Sequence, residues 1–147
     1  MERKPKVLFF STGDASRSQM AEGFLRRFAG NELIGVSTAV LSPEADPLTG
    51  EVMREVGVDI STQRAKNVAE SLKEHFAYVV TVCDASRERF PIWPFTRNLI
   101  HWSLTDPEGF KGSAEEKRET FRLVRDETAR RVSEFVAQVK PQLAANS

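Results

Sequence analysis

The sequence is poor in the side chains that staple or metallate a small protein. It contains one cysteine, Cys83, and two histidines, His75 and His101. A single thiol forms no internal disulfide and no thiolate zinc cluster. The two histidines are isolated rather than set at ligand spacing, so both are expected to be structural or surface residues, and no metal and no other cofactor is expected. An excess of one charge is also missing, because 21 Lys and Arg balance 21 Asp and Glu. That removes the electrostatic case for nucleic acid or an anionic membrane as partner. Long apolar runs are absent as well. The longest, Val7–Phe10 and Phe76–Val80, fall far short of a membrane span. The four apolar residues that follow the charged Met1–Lys6 are too few for a signal-peptide core, and the cytoplasm is the expected compartment. What remains is a chain of 147 residues, 40% hydrophobic and 29% charged, in keeping with one globular domain over residues 1–147.

Hydrophobic periodicity alternates between strand and helix. Lys6–Phe10 and Tyr78–Cys83 are short β-rich apolar runs, the pattern of strands buried on both faces. Leu33–Val40 and Asn98–Leu104 complete four predicted strands. Between the first two, Met20, Ala21, Phe24, Leu25 and Phe28 keep helical spacing over Arg17–Phe28, and Gly30-Asn31 is expected to end that helix. Leu48–Val56 is a short helix closed by Gly57. Lys66–His75 is a third, with Val68, Ala69 and Leu72 expected to face inward. Ser113 and Glu116 form a capping box for the longest helix. Its inward stripe is Phe121, Val124, Thr128, Val132, Phe135 and Val139, and Pro141 is expected to stop it. Trp102 is expected in the core. Strands alternating with helices predict a doubly covered parallel sheet.

Ligands of such sheets sit beyond the carboxyl ends of the strands. Three loops converge there: Ser11–Ser18, Asp84–Pro94 and Thr105–Gly112. The first reads Ser11-Thr12-Gly13-Asp14-Ala15-Ser16-Arg17-Ser18. A strand, a small-residue loop and a helix N-terminus make an anion site, because backbone N–H groups converge and the helix dipole favours negative charge. Arg17 can add a bidentate grip on a tetrahedral oxyanion. An ordinary strand–helix loop with a surface arginine is the alternative. Asp106-Pro107 ahead of Gly109 is, taken alone, a turn signal. Arg87 and Arg89, in the second loop, either attract anions or serve no special role. Trp93 and Phe95 either wall the cleft or fill the core.

The stretch Val7–Arg27, VLFFSTGDASRSQMAEGFLRR, resembles the phosphate loop of thioredoxin-coupled arsenate reductases, which share a fold with low-molecular-weight protein tyrosine phosphatases. Ser37, Met53–Ser61 (MREVGVDIS), Val79–Ser86 (VVTVCDAS), Pro91 and His101–Gly109 (HWSLTDPEG) are similar to later family segments, in order and over nearly the whole chain. The resemblance implies a three-layer α/β sandwich with a four-stranded parallel sheet. In the family the loop runs from a cysteine through five residues to an arginine. The cysteine attacks arsenic or phosphorus, the arginine and loop amides stabilise the transition state, and the aspartate of an Asp-Pro pair protonates the leaving oxygen. Arg17 and Asp106 match two of these roles, while Ser11 occupies the nucleophile position. Of the two relay cysteines of the reductases, the first falls at Cys83 and the second at Phe90, so thioredoxin is not expected as a partner. By itself Cys83 also reads as a buried strand-end residue. Asp14 stands where the family usually has asparagine. Some reductases hold a potassium ion whose ligands would correspond to Asp14, Glu22, Ser37 and position 66. Lys66 is expected to replace that ion and to pair with Asp14 or Glu22.

The expected function is therefore that of an arsenate reductase-like or phosphatase-like protein that keeps its oxyanion-binding loop, takes phosphate, sulfate, arsenate or a phosphorylated partner, and has little or no turnover. Three other readings stand beside it: an active phosphatase or arsenate-processing enzyme of altered mechanism, a deliberate Cys-to-Ser trap at position 11, and an interaction module with a vestigial cleft.

Overall fold

In the computed structural model, which describes residues 4–84 and 98–145, the strands run β1 Lys6–Ser11, β2 Ile34–Ala39, β3 Tyr78–Cys83 and β4 Leu99–Ser103. They form one parallel sheet in the order β2-β1-β3-β4. The register sets Ser11 opposite Ala39 on one side and Val82 on the other, with Cys83 opposite Ser103. All four strands thus end at one edge of the sheet. The helices are α1 Ser16–Ala29, α2 Pro47–Glu55, the single turn α3 Val68–Ser71, and α4 Ala114–Ala145. This is the expected α/β fold, a four-stranded parallel sheet flanked by helices.

Alternation along β1 divides the core. Val7 and Phe9 point into the larger cluster, with α1, α2 and α4, while Leu8 and Phe10 join Val36, Phe76 and Val79 on the opposite face. Central strands buried on both faces read as continuous apolar runs for this reason. The predicted α4 stripe is buried throughout, from Phe121 to Val139. Trp102 is buried between Phe9 and Phe135, at ring-centroid distances of 5.9 and 6.3 Å. Each such aromatic contributes about 1.5–3 kcal/mol of burial. Gly57 adopts φ +79° directly after α2, a left-handed position that favours glycine and ends the helix where the sequence places the stop.

The capping box forms as expected. The Ser113 hydroxyl accepts the Glu116 N–H at 3.1 Å, and the Glu116 carboxylate accepts the Ser113 N–H at 3.1 Å. Ser113→Ala should lower stability by about 1 kcal/mol, measurable as a shifted urea midpoint with unchanged slope.

Two local expectations fail. The Lys66–His75 helix shrinks to α3, capped by Asn67, whose side chain accepts the Glu70 N–H. Val68 packs against the smaller cluster, but Ala69 is exposed and Leu72 is 41% exposed. Phe76 takes the inward place instead, so packing of one large ring overrides a weak helical pattern. Pro141 does not stop α4, which continues to Ala145. Proline removes only one N–H near a helix end. Beyond it, Gln142 accepts a hydrogen bond from the Tyr78 hydroxyl at 3.0 Å, and Leu143 packs on the core.

Candidate functional site

The predicted anion loop is shorter than the sequence indicated. β1 runs through Ser11 and α1 begins at Ser16, leaving Thr12–Ala15 as the connection. Ser16, Arg17 and Ser18 form the first turn of α1, and all three are fully buried. A buried helix N-terminus must find acceptors for its amides. Ser18 N–H donates to Ser11 Oγ at 2.9 Å, and Ser16 N–H donates to Asp14 Oδ1 at 3.0 Å. The segment after β2 holds the loop from outside. Val40 N–H donates to the Ser11 carbonyl, Leu41 N–H to the Gly13 carbonyl, and Ala15 N–H to the Glu44 carbonyl.

Arg17 and Asp106 meet across this loop. Arg17 is fully buried. Its Nη1 donates to the Leu104 carbonyl at 3.1 Å, and its Nη2 lies 3.7 Å from Asp106 Oδ2. The Asp106 carboxylate also accepts the Glu108 N–H, which pins it at the head of the 3-10 turn Pro107–Gly109. Gly13 lies against both: a Cβ there would approach Asp106 Oδ2 to 3.1 Å and Arg17 Nη2 to 3.2 Å. The structure therefore brings Gly13, Arg17 and Asp106 together, with Ser11 Oγ tied to the amide of Ser18 one residue beyond Arg17. An arginine and a carboxyl group beside a helix N-terminus can hold a tetrahedral oxyanion and hand a proton to it.

Asp14 is drawn inward. Its Oδ1 accepts the Ser16 N–H and its Oδ2 accepts the Ser16 hydroxyl at 3.1 Å. Burial raises its pKa; the Ser16 hydrogen bonds oppose this, the Asp106 charge adds to it, and Arg17 opposes it. Cys83 is fully buried at the end of β3 with its carbonyl accepting Leu104 N–H at 2.8 Å, in agreement with the strand-end reading. Phe90, Pro91, Arg87, Arg89, Trp93 and Phe95 lie outside the described residues.

The cation-replacement expectation for Lys66 is corrected. Its ammonium pairs with Glu74 at 2.7 Å, not with Asp14 or Glu22. Glu22 instead accepts the Ser37 hydroxyl at 2.9 Å, and burial holds its carboxyl above the usual range. The backbone explains the split. Lys66 is anchored at the β2 edge by its N–H to the Ser37 carbonyl and by its carbonyl to the Thr38 hydroxyl, and its half-exposed side chain reaches Glu74. Lys6 shares Glu74 at 2.9 Å. Among the described residues, no group of three candidate metal ligands occurs and no helix is long and apolar enough to cross a membrane.

One neighbour missed by sequence reasoning is Glu108, whose carboxyl Asp46 pushes up to about 7. Asp46 is half-buried. It caps α2 by accepting Leu48 N–H at 2.9 Å, and it pairs with Lys117 at 3.3 Å. Its own N–H donates to the Ser16 hydroxyl at 3.1 Å. Asp46 caps α2, which begins at Pro47, one residue before the predicted start at Leu48; its influence on Glu108, far along the chain, has no local signal in the sequence.

Parallel topology, a short β1–α1 connection with a buried helix N-terminus, and an arginine–aspartate pair at its mouth place the chain in the class of small α/β proteins with helices on both faces of a four-stranded parallel sheet. The chain belongs to the low molecular weight phosphotyrosine protein phosphatase family, which it matches over residues 6–145. It is 34% identical to an arsenate reductase of Halalkalibacterium halodurans over 132 residues, covering 90% of this chain and 95% of that one. Among solved structures, it is similar to an arsenate reductase in the phosphate binding state, with a TM-score of 0.77 and 29% identity over 92% of this chain and 99% of the other. A thioredoxin-dependent arsenate reductase of Corynebacterium glutamicum matches with a TM-score of 0.72 and 25% identity, over 96% of this chain and 64% of the other. That relative corrects the expectation about thioredoxin. A cysteine count bounds the disulfides one chain can form internally, and it does not decide whether a protein of this fold works with an external dithiol protein.

Proposed function

We propose that this chain is an oxyanion-binding member of its family with little or no phosphoryl or arsenyl turnover of its own. The observation that carries the reading is Ser11, fully buried at the nucleophile position with its oxygen accepting Ser18 N–H. A thiol there would ionise readily beside a helix N-terminus and Arg17. A hydroxyl needs an adjacent general base. Asp14 is the nearest carboxylate in the sequence, and both its oxygens are engaged by Ser16. It also holds an amide that an incoming anion would use, which weakens the site without abolishing it. Anion binding is supported by the Arg17–Asp106 arrangement and by the phosphate-bound relative of the same fold.

The retained Arg17–Asp106 pair favours a second reading, an enzyme of altered mechanism that keeps its general acid. Hydrolysis of an aryl phosphate separates the two. The silent reading expects wild type and Asp106→Asn to be equally close to the uncatalysed rate. Clear turnover in wild type that disappears in Asp106→Asn would establish the enzyme.

A further inference from the structure

We propose that the Ser11–Ser18 loop prefers singly charged organic oxyanions, a sulfate monoester or a phosphate diester, because the Asp14 carboxylate already fills the place of a second ligand charge. The inference rests on the oxyanion-site reading given above. The geometry around Asp14 carries it. Its Oδ1 accepts the Ser16 N–H at 3.0 Å, and its Oδ2 accepts the Ser16 hydroxyl at 3.1 Å. That amide is one of those a helix N-terminus offers to an anion, and here a carboxylate of the chain itself is on it. The arrangement is braced from outside. Ser16 is fully buried, and its hydroxyl also accepts the Asp46 N–H at 3.1 Å. The next residue after Asp14 is held as well, Ala15 N–H donating to the Glu44 carbonyl at 3.1 Å.

The charges at the loop do not balance. Arg17 supplies one positive charge, and its Nη2 lies 3.7 Å from Asp106 Oδ2. That pair is neutral before any ligand arrives. Asp14 adds a negative charge, close enough to Asp106 and Arg17 for both to act on it. The loop therefore sets two carboxylates against one guanidinium. Coulomb repulsion scales with the charge of the ligand, so a dianion meets twice the penalty of a monoanion. One unit charge about 6–8 Å from a carboxylate in a partly buried site is disfavoured by at least about tenfold. The organic part of the ligand follows from the segment after β2. Val40 and Leu41 donate their N–H groups to the Ser11 and Gly13 carbonyls at 3.0 and 3.1 Å, which sets both residues against the loop. They are 51% and 80% exposed. An inorganic ion has no use for apolar side chains beside its cleft, whereas an alkyl or aryl ester buries surface on them.

Calorimetric titration with phenyl sulfate and phenyl phosphate tests the preference at about pH 8, where a phosphate monoester is doubly charged. The two ligands share a ring and a tetrahedral head and differ by one charge. Wild type should bind phenyl sulfate more tightly. Asp14→Asn, whose side-chain oxygen can still accept the Ser16 N–H, should shift the relative affinity towards phenyl phosphate by at least about tenfold. Leu41→Ser, at an exposed position, should weaken phenyl sulfate by at least about threefold and inorganic sulfate by less. Methyl phenyl phosphate, singly charged on two terminal oxygens, separates the two ligand classes: tighter binding than phenyl sulfate assigns a phosphate diester, weaker binding a sulfate monoester. Wild type that prefers phenyl phosphate, or an Asp14→Asn protein in which both ligands change alike, overturns the charge preference and leaves the oxyanion-site reading intact. Unchanged phenyl sulfate affinity in Leu41→Ser overturns the organic part. Failure of both wild type and Asp14→Asn to bind either ligand refutes the oxyanion-site reading and the preference with it.

Discussion

Replacing Ser11 by cysteine is expected to raise aryl phosphate hydrolysis by at least about 100-fold over the wild-type protein. The gain follows from what already surrounds the position. Ser18 N–H points at the side-chain atom at 2.9 Å, the first turn of α1 is buried behind it, and Arg17 belongs to the same turn. Each favours a thiolate over a thiol, and the thiolate is the nucleophile. The serine hydroxyl starts too high to benefit. Asp106→Asn in the cysteine background should then remove about 100-fold or more, because the leaving oxygen loses its proton donor. A folded Ser11→Cys protein with no gain would mean that Asp14 closes the loop against substrate.

Arg17→Ala is expected to have the second large effect, on binding and stability together. The guanidinium is fully buried, donates to the Leu104 carbonyl at 3.1 Å, and faces Asp106 at 3.7 Å. Removing it leaves a buried carbonyl without that donor, a carboxylate without its counter-charge and a void in the floor of the site. Loss of one partner from a buried charged contact costs about 3 kcal/mol, which chemical denaturation would register directly. Phosphate affinity should fall by at least about tenfold, as one charge-assisted hydrogen bond is worth about 1.5–3 kcal/mol. Arg17→Lys separates the two effects. It keeps the charge but loses the planar fork, so it should recover part of the stability and little of the affinity.

The sequence made most of the sheet legible because central parallel strands carry their burial in their composition. Lys6–Phe10 and Tyr78–Cys83 could be little else. The α4 stripe was equally plain, and so was the Ser113–Glu116 cap, since both depend on neighbours within a turn or two. The failures lie where distant packing decides. Pro141 is carried through by Tyr78 and Leu143, and the Lys66–His75 pattern yields to Phe76. At the site, Ser11, Arg17 and Asp106 stood out through chemistry and family resemblance. The choice of partner for Lys66 did not, because several carboxylates lay within its reach and only the fold ranks them. Glu108 was invisible for the opposite reason: an exposed glutamate in a turn has no local signature, and its meaning comes from Asp46 on another element.

In the proposed reading the loop still binds an oxyanion although the nucleophile position holds a hydroxyl. Calorimetric titration of the wild-type protein with phosphate tests it most directly, with Arg17→Lys as the folded control. Saturable single-site binding, strongly weakened in Arg17→Lys, is expected. Absence of binding at millimolar phosphate, or equal binding in the two proteins, would contradict it.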